Sequence, residues 1–107
     1  MTPAQFRKLA LSFPDVSEKA HMSHPDFRTA GRVFATLGYP DKEHGMVVLP
    51  PDEQARLLRE NPKVFSAAKG AWGKRGSTVV RLDAADAAKL RTALELASRW
   101  ARTRGKS

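Results

Sequence analysis

Apolar residues near the start of the chain recur at a helical interval. Phe6, Leu9, Ala10 and Phe13 fall at i, i+3, i+4 and i+7, which is one face of an α-helix. Thr2-Pro3-Ala4-Gln5 stands ahead of that stripe. Thr2 suits the cap, Pro3 the first helical position, and Gln5 can close a capping box. Pro14-Asp15 ends the segment. From residue 18 to residue 49 the interval falls to two. Ala20 and Met22 alternate with Lys19, His21 and Ser23, and Pro25-Asp26 interrupts the run. Phe27 follows, and Ala30-Gly31-Arg32 reads as a tight turn. Val33, Ala35 and Leu37 share one side of the next strand, with Phe34 on the other. Residues 38–45 read as a longer loop and residues 46–49 as a short strand. Strands joined by such short links pair antiparallel.

Pro50-Pro51-Asp52-Glu53 opens a second helix, with acids in the first turn where the helix dipole favours them. Leu57 and Leu58 face inward, and Asn61-Pro62 ends it. Residues 63–77 show no periodicity, and Gly73-Lys74-Arg75-Gly76 reads as an exposed turn. Residues 77–82 form a last strand. Asp83 then caps a last helix, with Asp86 three residues on. Leu90, Ala93, Leu94, Ala97 and Trp100 or Ala101 make its apolar stripe. Residues 102–107 read as a basic tail that frays.

The order helix, strands, helix, strand, helix predicts one α+β domain over residues 1–107. Its helices pack on one face of an antiparallel sheet. The other face draws notice because Phe34, Val47, Leu49 and Val79 fall out of phase with the core set. Long side chains such as Arg32 and Arg81 can cover them. Otherwise that face is a contact surface for a partner or a second subunit.

At 107 residues, a single domain buries roughly 65% of its unfolded surface, enough for a core without staples. The absence of cysteine favours a reducing compartment, so a cytoplasmic location is expected. No run of 18 apolar residues is present and the first residues do not resemble a signal peptide, so no membrane association is expected. The net charge of +8 bears on partners: nucleic acid, an anionic membrane surface or an acidic protein.

Catalytic and cofactor patterns are lacking. There is no cysteine nucleophile, no Gly-x-Ser-x-Gly and no phosphate-cradling glycine motif, so a non-enzymatic protein without a cofactor is expected. Asp52-Glu53 and the Asp83, Asp86 pair are explained by helix starts. His21, His24 and Asp26 suggest a metal. However, residues three apart on a strand point to opposite faces, so no metal is expected there.

Charge placement is the strongest local signal. Residues 61–82 hold Lys63, Lys69, Lys74, Arg75 and Arg81 with no acid, and Trp72 lies among them. Residues 96–107 hold Arg99, Arg102, Arg104 and Lys106, again with no acid. Cations among which a ring stands can neutralise phosphate while the ring stacks or wedges. A lone tryptophan is also commonly a core anchor, and that role is the simpler one for Trp72 taken by itself.

Five segments together carry a family pattern. They are His24-Pro25-Asp26-Phe27-Arg28, Gly31-Arg32-Val33-Phe34-Ala35-Thr36-Leu37, Asn61-Pro62-Lys63-Val64-Phe65, Gly70-Ala71-Trp72-Gly73-Lys74-Arg75-Gly76 and Val80-Arg81-Leu82-Asp83. In this order and spacing they resemble the MmcQ/YjbR family of small bacterial proteins, from the first helix to about Trp100. The resemblance implies a CyaY-like fold and a DNA-binding protein with a double-wing arrangement. Trp72, Lys74 and Arg75 would form one wing, and Arg28 and Arg32 the other. Lys69 and Arg81 would add phosphate contacts. The CyaY-like fold is shared with frataxins, which bind iron through an acidic first helix. The first helix here carries Arg7 and Lys8 and no acid, which argues against iron. The alternative function is a module that binds a protein or a small anionic ligand on the open sheet face.

Overall fold

Thr2 caps the first helix as its sequence predicts. Its hydroxyl accepts from the Gln5 backbone N–H at 3.2 Å, and the Gln5 side chain accepts from the Thr2 N–H at 2.8 Å. In the computed structural model, residues 1–21 and 24–104 are described. The elements are α1 (Pro3–Leu11), β1 (Ser17–His21), β2 (His24–Thr29), β3 (Arg32–Leu37), β4 (His44–Val48), α2 (Pro51–Glu60), β5 (Phe65–Ala67), α3 (Ala71–Lys74), β6 (Ser77–Arg81) and α4 (Ala87–Arg104). The strands form a six-stranded sheet in the order β1-β2-β3-β4-β6-β5, antiparallel at every pairing. This is the expected α+β architecture. The β2–β3 turn has positive φ at both Ala30 and Gly31, as a two-residue primed hairpin turn requires.

α4 lies across β2, β3 and β4, with α1 beside it and α2 against β5. Its stripe of Leu90, Ala93, Leu94, Ala97 and Ala101 is buried as the periodicity predicts, while Trp100 is only half-buried. Phe6 of α1 meets Phe27 of β2 with ring centroids 6.1 Å apart. Among the described residues, no helix is long and apolar enough to cross a membrane.

Several expectations are corrected. Phe34 is not on the open face but fully buried, at 0% exposure. The β2–β3 register passes from Phe27↔Ala35 to Arg28↔Val33, which leaves Phe34 as the extra residue of a β-bulge. A bulge breaks strict alternation, so Phe34 and Ala35 both turn into the core. Val47 and Leu49 are also core residues, because Val47 lies opposite Ala35 and shares its face. Val79 alone of the four stays half-buried on the open face, opposite Met46. Residues 63–77 are not irregular: they contain β5 and α3. A three-residue strand and a four-residue helix are too short for periodicity to register.

The cap of α4 is Asp86, whose carboxylate accepts from the Lys89 N–H at 2.8 Å. Asp83 precedes it in a turn where the Ala84 and Ala85 N–H groups bond back to the Arg81 carbonyl. The helix runs through Arg104, so the fraying expected from residue 102 does not begin there, and residues 105–107 lie outside the described residues. Met22, expected on β1, also lies outside them.

Candidate nucleic-acid interface

Strand register decides which of the basic residues meet. Thr29 lies opposite Arg32, Val48 opposite Ser77 and Ala67 opposite Thr78. The β2–β3 turn, the end of β5 and the start of β6 therefore share one end of the sheet. α3 precedes β6 at that end. It is held there by Gln54 of α2, a buried side chain whose Nε2 donates to Gly73 O at 3.0 Å, Ser77 O at 3.1 Å and Thr78 Oγ1 at 3.1 Å. A buried amide with its donors used in this way fixes α3 against the sheet. Sequence reading missed Gln54, because a glutamine in a helix of charged residues reads as surface.

Trp72 is not a core anchor. It is 67% exposed, and Tyr39 is 46% exposed; with Leu11 they are the exposed large hydrophobics among the described residues. Trp72 lines a depression of about 370 Å³ on the open face with Thr36, Tyr39, Met46, Ala68 and Lys69. Thr36 and Met46 are cross-strand partners at its floor. A second depression of about 330 Å³ adjoins it and shares Tyr39, Ala68 and Lys69; Val79, Ser66 and His44 complete much of its lining. Tyr39 was missed in the sequence because it sits in a loop. It precedes Pro40 across a cis bond, and its ring meets His24 edge-on, with centroids 6.2 Å apart. At the rim, the Asp41 carboxylate lies 2.7 Å from His44 Nδ1. That contact, followed by the Glu43 N–H, holds the Asp41 carboxyl below its ordinary pKa.

The remaining basic residues divide by position. Lys74 and Arg75 are exposed at the end of α3, and Arg32 is exposed where the β2–β3 turn enters β3. Arg32, Lys69, Lys74 and Arg75 have no acidic partner among the described residues. Arg28 also lies on the open face, 3.6 Å from Asp26, and its Nε is buried without a hydrogen-bond partner among the described residues. The Arg104 guanidinium stacks on Trp100 at 3.9 Å from the ring centroid. Burial, then the charge of Arg32, lowers its pKa, so α4 brings another cation to the β2–β3 turn. The sequence marked residues 96–107 as basic but held no sign that they meet Arg32. Arg81 stands apart. It pairs with His44 at the opposite end of the sheet and is held by Asp83 at 2.8 Å.

The metal-ligand candidates are otherwise engaged. His24 faces Tyr39, and Asp26 accepts from the Thr36 hydroxyl at 3.2 Å. The His21 side chain lies outside the described residues. Among those residues no group of three or more His, Cys, Asp or Glu is placed to hold a metal.

No curated protein and no solved structure matches the chain. The YjbR family model matches residues 11–99, a span that holds the whole sheet, the lining of both open-face depressions, the β2–β3 turn and α3. The chain belongs to the YjbR family.

Proposed function

We propose that this protein is a non-enzymatic DNA-binding domain that holds DNA mainly through phosphate contacts at the β2–β3 turn and α3. The observation that carries this reading is the grouping of Arg32, Lys69, Lys74 and Arg75 at one end of the sheet, beside exposed Trp72, with no acidic partner among the described residues. An ion-paired cation must give up its partner to meet phosphate, whereas these four need not. Arg104 lies near enough to Arg32 for the two charges to be felt by each other, which adds to the positive potential at the same place. At four residues, α3 is too short to read a run of bases along a groove, which fits weak sequence preference, and affinities of about 10⁻⁴–10⁻⁶ M near physiological salt are expected for such binding. The lack of cysteine fits a cytoplasmic setting.

A salt series tests this reading. Binding of a short labelled duplex, followed by fluorescence anisotropy, is expected to weaken linearly in log Kd against log salt. Replacing Lys74 and Arg75 together with alanine is expected to reduce that slope by about two, one unit for each lost phosphate contact. Arg81→Ala, at the other end and already paired with Asp83, is expected to leave the slope unchanged. A double variant that binds like the parent at every salt concentration contradicts the assignment of α3 to the interface.

A further inference from the structure

We infer that the two adjoining depressions on the open sheet face are subsites for two successive unpaired bases of a DNA strand, with Lys69 at the phosphate that links them. The inference rests on the DNA-binding reading above and names the form of DNA that the site takes.

Four observations support it. First, Trp72 and Tyr39 stand exposed on the walls of one depression whose floor is Met46 and Thr36. Exposed rings beside a thioether floor offer flat, polarisable surface that any base can stack on. Secondly, the second depression continues from the first across Tyr39 and Lys69 and is floored by Val79 and Ser66. Met46, Val79 and Ser66 are successive cross-strand partners on β4, β6 and β5, so the two depressions follow one row of the sheet. Thirdly, Lys69 is common to both depressions, whereas the acids beside their lining are already engaged, Asp41 with His44 at the rim and Asp26 with the Thr36 hydroxyl and Arg28. A cation at the boundary between two recesses, each with room for a base, is where the linking phosphate of a strand would pass. Fourthly, Trp72 of the first depression lies on α3 with Lys74, next to Arg75 and at the end of the sheet that also holds Arg32, so phosphates beyond that depression would meet these cations.

Volume agrees with this occupant. Each depression, at about 370 and about 330 Å³, is at the lower end of ordinary small-molecule pockets. Bases within an intact duplex present only their edges to a protein, so a recess walled by rings is of use to a strand whose bases are unstacked. An acidic peptide would satisfy Lys69 but leave the stacking walls unused.

The test separates bases from phosphates. Two labelled single strands of about 12 nucleotides are compared by anisotropy at low salt, one of thymidine throughout and one with abasic sites at its central positions. Both carry the same phosphates. The thymidine strand is expected to bind about tenfold or more tightly than the abasic strand. Trp72→Ala and Tyr39→Ala should each remove most of that difference while leaving the abasic strand's affinity within about twofold. Both side chains are substantially exposed, and the thermal midpoint of each variant verifies that it is folded. Equal binding of the two strands overturns the base subsites while the phosphate reading stands. A base-dependent difference that survives both substitutions places the base contact elsewhere and overturns the assignment. No binding of either strand or of duplex at low salt overturns both readings.

Discussion

Leu94→Ala is expected to lower the unfolding free energy by about 2–5 kcal/mol. Leu94 is 0% exposed and sits midway along α4, which lies across three central strands. Its neighbours on the buried face are Leu90, Ala93, Ala97 and Ser98, so this helix relies on two large side chains to fill the space against the sheet. Removing one of them leaves a void that alanines cannot fill, and both the lost transfer energy and the cavity count against the fold. Domains of this size hold only about 5–15 kcal/mol of net stability. A urea titration should show a lower midpoint with little change in slope. An unchanged midpoint would mean that α4 packs differently.

Gly76→Ala is expected to cost about 3 kcal/mol or more, through the backbone rather than the core. Gly76 has φ +107, a conformation open to glycine and strained for any L-residue. A Cβ built there would stand 1.9 Å from the Leu49 carbonyl oxygen. The same junction carries the hydrogen bond from the Leu49 N–H to Gly76 O at 2.9 Å, so relieving the clash pulls β4 and β6 apart where α3 is anchored. A fall in the thermal midpoint of about 10 °C or more is expected from that loss. A variant that melts with the parent would show that residue 76 can leave the left-handed region without disturbing the junction.

These two sites mark what the sequence reveals and what it does not. The α4 stripe was legible because five apolar residues keep the helical interval over three turns. The cap of α1 was legible because Thr2, Pro3 and Gln5 each have one local role. Phe34 was misplaced because strict alternation assumes an unbroken ladder, and the bulge beside it arises from pairing with β2. β5 and α3 were missed because neither is long enough to repeat. In the interface, Lys69, Trp72, Lys74 and Arg75 were legible as a run of cations around a ring. Whether that ring was inside or outside was not, since Trp72's exposure depends on Gln54 tying α3 to the sheet from another helix. Tyr39 and Arg104 reach the site through tertiary placement, and Arg81 leaves it for the same reason.

The claim that DNA meets this particular face is tested most directly by titrating isotope-labelled protein with a short DNA strand at low salt and following backbone amide shifts. Shifts are expected at residues 28–32 and 66–75 and around Thr36, Tyr39 and Met46, with α1 and α2 unmoved. An absence of shifts at low salt, or shifts confined to α1 and α2, would contradict the account.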